Sequence, residues 1–205
     1  ECDHLNVESL KKVIGKHVAA ILVEPVQGEG GARKAPEGYL KLINDIAKEN
    51  GSLLISDEVQ IGMGRSGTLF AYQQENIEPD IIALAKGLGG GFPVGAVMAK
   101  AKVGDAMTPG THGSTFGGNP LASSVCMAAL KVIVDENLSN NSYLLGEKFR
   151  SSLKSYIDKS SIVLSIRGKG LLNAIEIDNN KKNDLAWDCL LYTSDAADEG
   201  LGVDL

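Results

Sequence analysis

Three short apolar runs each end in an ionisable or polar group, and this repeated arrangement constrains the fold more than any other feature of the chain. Ala19-Ala20-Ile21-Leu22-Val23 runs into Glu24-Pro25, Leu53-Leu54-Ile55 into Ser56-Asp57, and Ile81-Ile82-Ala83-Leu84 into Ala85-Lys86. Continuous apolar runs of this length fit strands buried on both faces, as in parallel sheets covered by helices. Gly95-Ala96-Val97-Met98-Ala99 is a fourth such run. Between the first two, Pro36 opens a helical pattern with Tyr39, Leu40, Ile43, Ile46 and Ala47 on one face, and Gly51 stands where a helix C-terminus wants it. Strand, helix, strand in this order predicts an α/β layer architecture. In open sheets of this kind ligands bind beyond the carboxyl ends of the strands, so Glu24, Asp57 and Lys86 are expected to converge on one site. A buried charge is costly alone. Asp57 and Lys86 therefore either face a ligand or form a structural ion pair with each other, and spacing leaves both open.

Beyond Asn119-Pro120, a cap followed by a first-turn proline, the pattern turns helical to about Val134. A second helix is expected over 142–156, with Leu145, Phe149, Leu153 and Tyr156 in phase. The runs Ile162–Ile166 and Leu171–Ile177, on either side of Arg167-Gly168-Lys169-Gly170, read as paired strands of a second, smaller unit. The expected division is 1–135 for the larger unit and 136–188 for the helices and strands that begin the smaller one.

Composition narrows the function classes. No apolar run approaches the about 20 residues of a membrane span. The net charge of −6 comes without a basic block, which argues against nucleic acid or an acidic membrane as partner. Cys2, Cys126 and Cys189 are an odd, scattered set that fits a reducing, cytoplasmic setting. Gly62-Met63-Gly64-Arg65-Ser66-Gly67 satisfies a dinucleotide fingerprint in letters, yet Thr68-Leu69-Phe70 follows where a helix should open. Gly89-Gly90-Gly91 lacks the ending of a phosphate-binding P-loop. His112 has no partner at metal spacing and reads as a structural imidazole, and Cys126 as buried filler on a helix face. No metal site is expected.

Four motifs in order carry a family resemblance: Glu24-Pro-Val-Gln-Gly-Glu29-Gly-Gly, Ser56-Asp57-Glu58-Val59-Gln60 with Gly64-Arg65-Ser66-Gly67, Leu84-Ala-Lys86-Gly-Leu-Gly-Gly-Gly, and Gly113-Ser114-Thr115-Phe116-Gly117-Gly118-Asn119-Pro120. Together they resemble the class III, fold type I pyridoxal-phosphate aminotransferases, and most closely the acetylornithine and ornithine enzymes. The segment 89–95 and the segment 109–116 lean to acetylornithine, and Arg167-Gly-Lys-Gly-Leu-Leu-Asn-Ala-Ile leans to ornithine. The fold so implied is a three-layer α/β/α large domain with a mostly parallel sheet, followed by the start of a small α+β domain. The implied reaction moves the terminal amine of N-acetylornithine or ornithine to 2-oxoglutarate, with pyridoxal 5′-phosphate as cofactor. The resemblance makes Lys86 the cofactor-bound, proton-shuttling amine and Asp57 the partner of the pyridine nitrogen. It sets Val59 against the ring face, Gln60 near the phenolic oxygen, and Ser114 beside substrate. Thr115 would bind the phosphate in the neighbouring subunit, which implies a homodimer. Glu29 resembles a switch glutamate that masks a carboxylate-binding arginine in one half-reaction, while Glu24 supports the site without doing chemistry. Plainer readings stand beside these: Glu29 as a solvated loop carboxylate, Gln60 as a strand-end cap, Gly89–Gly91 as a tight loop, and Arg167 as structural. A 4-aminobutyrate-type or other ω-aminotransferase shares the core motifs, and a fragment unable to hold cofactor is the rival from a different class.

Family members are longer. The glycine-rich phosphate turn and ring-stacking aromatic expected upstream, and the carboxylate-gripping arginine expected downstream, are not in this sequence. The expectation is therefore a central fragment of an aminotransferase gene. Resemblance stops after Asp184-Leu185-Ala186-Trp187-Asp188, and Cys189-Leu-Leu-Tyr-Thr-Ser-Asp-Ala-Ala-Asp-Glu199 back-translates onto a transposase mosaic-end sequencing adaptor. Residues 189–205 are thus expected to be adaptor read-through. They carry four acids (Asp195, Asp198, Glu199, Asp204) and no bases, so the charge of −6 becomes −2 without them.

Overall fold

The computed structural model describes residues 6–178, so the readings placed on Cys2, on Cys189 and on the whole 189–205 segment lie outside the described residues. The chain opens with α1 (Val7–Val13), capped by the Asn6 side chain accepting from Ser9 N–H at 2.9 Å. It then runs through β1 (Ala20–Val23), the two-residue strands β2 (Val26–Gln27) and β3 (Arg33–Lys34), α2 (Tyr39–Asn50), β4 (Leu53–Asp57) and β5 (Ile81–Leu84). Next come β6 (Ala96–Ala99), α3 (Ala101–Gly104), α4 (Pro120–Asp135), α5 (Leu138–Ile157), β7 (Val163–Lys169) and β8 (Leu172–Ile177). The main sheet has the order β1-β4-β5-β6, parallel throughout except for the antiparallel β6. This is the α/β architecture that the alternation of strand and helix predicts, with the mostly parallel sheet that the family resemblance implies.

The register puts Ile21, Val23, Leu54, Ser56, Ile82 and Leu84 on one face of that sheet. Against this face α2 buries Tyr39, Leu40, Ile43, Ile46 and Ala47, the five residues of the expected apolar stripe, together with Leu10 and Ile77. Each buried aliphatic or aromatic side chain contributes about 1.5–3 kcal/mol relative to exposure. A second cluster, Met63, Ile82 and Leu84, packs with Phe70, Tyr72, Leu88 and, from α4, Ile133. The solid apolar runs predict an equally buried opposite face. It is open among the described residues: Leu22 is 64% and Val97 70% exposed, because no helix of residues 6–178 lies over them.

Of the two expected ends of α2, one holds and one moves. Gly51 closes it in a left-handed conformation (φ 71°), as the sequence suggests. The start falls at Tyr39 rather than Pro36, because Gly38 adopts φ 78° and Pro36 only closes a turn onto Tyr39 N–H. At α4, Asn119 accepts from Ala122 N–H at 2.9 Å and Pro120 is the first helical residue, in agreement with the sequence pattern. The α4–α5 junction lies at Glu136-Asn137.

The expected face of α5 is not the one it buries. Phe149 and Leu145 stay exposed, as does Tyr156. The buried residues are Ser142 and Gly146. Small residues win here because they let the backbone come close: Gly64 meets Ser139, Gly67 meets Tyr143, and Gly146 lies directly on the Gly170 carbonyl. The glycines of the 62–67 segment thus serve helix packing, with Gly64 and Gly67 at φ 88° and 102°, and no helix opens after them. The hairpin β7–β8 is docked onto this turn by Leu171 N–H donating to the Arg65 carbonyl at 2.9 Å.

Candidate active site

The carboxyl ends of β4 and β5 lie side by side, with Asp57 opposite Ala83 in the parallel register. Asp57 closes β4 half-buried, and its Oδ1 accepts the Val59 N–H at 3.0 Å. Among the described residues no hydrogen bond occupies its Oδ2. Lys86 stands two residues beyond β5 and begins a short 3-10 turn, Lys86–Gly89. Its φ is +46°, a left-handed conformation that costs a non-glycine residue about 1–3 kcal/mol and that collects at functional positions. The sequence predicts a buried amine here. The side chain is exposed instead, on a left-handed turn beyond the strand end. Its ammonium has no hydrogen-bond or ion-pair partner among the described residues. The structural Asp57–Lys86 ion pair therefore does not form.

Around this pair the structure gathers the first motif. Glu24, at the end of β1, accepts the Gly28 N–H with Oε2 at 3.0 Å. Between β2 and β3 the chain turns through Gly28–Ala32, with Gly31 and Ala32 N–H both donating to the Gly28 carbonyl. Glu29 sits at the exposed tip, where its Oε1 accepts from Gln60 Nε2 at 3.4 Å. Gly28 is required for that approach, because a Cβ there would lie 2.7 Å from Gln60 Cγ. Gln60 thus reaches across to the Glu29 turn. Glu24, Glu29, Asp57, Val59 and Gln60 come from loops at the same end of β1 and β4.

Ser114 and Thr115 are placed differently. Both are exposed in the segment between α3 and α4, and no hydrogen bond links them to Asp57 or Lys86. Ser114 lines an open pocket of about 500 Å3 with Leu88, Pro93, Phe116, Ala122 and Cys126. Cys126 is only half-buried on this wall. Cys126 is therefore not the buried filler that the sequence suggests, and His112, read as a structural imidazole, is exposed.

Glu58, to which the sequence pattern assigns no role, is 1% exposed, the most buried charged side chain described. Its carboxylate accepts Ala71 N–H at 2.8 Å and Tyr72 N–H at 3.0 Å, with the Ser56 hydroxyl at 3.3 Å. Burial pushes its pKa above the ordinary value, the three hydrogen bonds pull it back in part, and neighbouring Asp57 adds to the rise. Glu58 ties the 71–75 turn to the carboxyl end of the strand that carries Asp57. The signal for it in the sequence is a second charge directly after an apolar strand, next to Asp57.

The sequence profile of aminotransferase class-III matches residues 1–204, and the chain belongs to that family. It is 50% identical over 181 residues to ornithine aminotransferase 2 of Staphylococcus aureus (strain MRSA252), covering 88% of this chain and 45% of that protein. Among solved structures it resembles the acetylornithine aminotransferase of Elizabethkingia anophelis, with TM-score 0.85 and 46% identity over 90% of this chain and 48% of that one. It also resembles a Toxoplasma gondii ornithine aminotransferase, described with partial occupancy of PLP at its active site, at TM-score 0.84 and 44% identity, covering 87% of this chain and 42% of that one. The chain spans about half the length of the relatives it matches. No described helix is long and apolar enough to cross a membrane.

Proposed function

We propose that the protein transfers the terminal amine of ornithine or N-acetylornithine to 2-oxoglutarate, with pyridoxal phosphate held by Lys86 and Asp57. The observation that carries this reading is an acid and an amine on the ends of adjacent parallel strands, neither of them paired with the other. That donor set fits the cofactor: a pyridine N–H needs an anionic acceptor, which Asp57 Oδ2 offers, and an aldehyde needs a free amine, which Lys86 offers. Pyridoxal phosphate, when bound, supplies the carbonyl for amine exchange and an electron-withdrawing ring.

The chain's own residues do the rest. With the cofactor bound, Lys86 Nζ would hold it and would move the proton at the carbon that carries the departing amine. Asp57 would keep the ring nitrogen protonated, Val59 would face the ring, and Gln60 would donate toward the ring oxygen. Glu29 alternately neutralises and releases the cation that grips a substrate carboxylate. Ser114 touches substrate, and Thr115 serves the phosphate of a second copy, which makes a cytoplasmic homodimer the working form. The identity to staphylococcal ornithine aminotransferase supports ornithine as donor.

The test is Lys86→Ala in the complete protein, assayed with ornithine, N-acetylornithine and 4-aminobutyrate as donors. Turnover and borohydride-trappable cofactor should both disappear. Unchanged turnover sinks the reading, and a 4-aminobutyrate preference in the unsubstituted protein moves it to another substrate.

A further inference from the structure

We infer that Arg167 is a positioning residue for Glu29, holding the turn that carries it from the far side of the fold. The inference rests on the proposed role of Glu29. Arg167 lies on β7, 136 residues along the chain from the turn it touches, and its Nε donates to the Gly31 carbonyl at 2.6 Å. The guanidinium is itself fixed in the hairpin: Nη1 donates to Glu176 Oε2 at 2.8 Å and to Ser165 Oγ at 3.3 Å. Ser165 in turn donates to Glu176 Oε2 at 2.8 Å. With the planar head held on one edge, its remaining Nε–H has one direction to point, and it points at the turn.

The turn is shaped for this contact. Gly31 adopts φ +91°, and a Cβ there would stand 2.8 Å from Arg167 Nη2. The guanidinium thus lies on the bare Cα of the one residue type that permits it. At the other end Glu24 holds the Gly28 N–H. The turn Gly28–Ala32 is therefore clamped at its entry by a large-sheet carboxylate and at its exit by a hairpin guanidinium. Glu29 is the side chain between the clamps, and among the described residues its carboxylate makes one hydrogen bond, the long one from Gln60. A shift of the Gly31 end moves the Glu29 carboxylate with it.

A residue acting through Glu29 must lose its effect when Glu29 is gone, which a double-mutant cycle reads directly. The measurement is the rate of each half-reaction in the complete holoprotein, followed by cofactor absorbance, with ornithine in one and glutamate in the other. Glu29→Gln should shift the ratio of the two kcat/KM values. Arg167→Ala should shift it in the same direction by about tenfold, the equivalent of losing one charge-assisted hydrogen bond's worth of positioning. The double variant should match Glu29→Gln alone. Glu176→Gln, which frees the guanidinium without touching the turn, should move the ratio the same way by less, and it stands in if Arg167→Ala does not fold. Additive shifts, or a ratio untouched by both Arg167→Ala and Glu176→Gln while Glu29→Gln moves it, overturn the inference and leave the Glu29 reading intact. A ratio untouched by Glu29→Gln overturns that reading and this inference with it.

Discussion

Replacing Glu58 tests whether the end of β4 is held from beneath. In Glu58→Ala the N–H groups of Ala71 and Tyr72 lose their acceptor, and Ala71 is itself buried, so water does not simply substitute. Each orphaned donor costs about 1–3 kcal/mol, so the two together cost about 2–6 kcal/mol, and the vacated volume adds to that. Glu58→Gln keeps one oxygen and turns an NH2 toward the second donor, for a loss of about 1–3 kcal/mol. The assay is amide hydrogen exchange at Ala71 and Tyr72. At 1.4 kcal/mol per tenfold, Glu58→Gln should speed exchange there by about 10–100-fold, with much smaller changes in α2. The pH dependence gives a second handle. Burial raises the Glu58 pKa above the ordinary 4.5, so the closed turn binds its proton more tightly than the open one. Its contribution is complete below pH 4.5 and falls as pH rises through the raised value, levelling off above it. After correction for intrinsic rates, protection of these amides should decline across that window in the unsubstituted protein and stay flat in Glu58→Gln. Equal exchange in all three proteins, or the same decline with glutamine in place, refutes the reasoning.

Three further outcomes follow from the geometry. Lys86→Gly should abolish turnover just as Lys86→Ala is expected to, yet melt higher than Lys86→Ala, because glycine relieves a φ of +46° worth about 1 kcal/mol; calorimetry on the two variants reads the difference. Gly28→Ala should push Gln60 away from the Glu29 turn, at a cost of about 1–3 kcal/mol, and lower kcat/KM more than Gly104→Ala, whose Cβ meets open space on an ordinary helical backbone; steady-state rates of both variants check it. Asp80 joins three strands, accepting Leu54 N–H at 2.9 Å and the Lys100 ammonium at 3.1 Å. Burial alone would raise its pKa, but those two bonds and the charges of Lys100 and Lys48 hold it below the ordinary 3.8. Its contribution is therefore present above pH 3.8 and lost as pH falls through the depressed value. Urea unfolding should show Asp80→Asn weaker than the parent near neutrality, with the gap closing in acid.

What could be read in advance depended on whether a residue's role follows from its own period. The strands β1, β4 and β5 were legible because a short, solid apolar run that stops at a charge or a proline fits a covered strand and is too short for a buried helix. Helix α2 was legible because five apolar residues recur at helical spacing. The site followed from the strands: a charge at the carboxyl end of a parallel strand lies where such sheets bind ligands, and Asp57 and Lys86 are both there. The short strands β2 and β3 carry only two residues each, too few to show any period, so the turn that presents Glu29 was invisible as structure. The left-handed backbone of Lys86 was equally hidden, since nothing local demands φ > 0 of a lysine.

The misreading of α5 has a different cause. Periodicity ranks faces by apolar volume, and by that measure Leu145, Phe149, Leu153 and Tyr156 make the better face. Helix packing also rewards close backbone approach, which small residues permit. Along α5 the contact with the 64–67 turn is made at Ser139 and Tyr143, Ser142 is buried on the same helix, and Gly146 and Gly170 meet where no side chain fits. The same logic governs Gly31 under Arg167 and Gly28 beside Gln60. In each case glycine marks the place where a group from a distant part of the chain comes to rest on bare backbone. Taken singly, these glycines look like loop punctuation. Taken with what lies on them, they mark where the β7–β8 hairpin and α5 are fitted to the loops that carry Glu29, Asp57 and Gln60. Asp57 and Lys86 sit at strand ends that the sequence announces, while the turn that carries Glu29 is held by a contact between residues more than a hundred positions apart, Arg167 with Gly31.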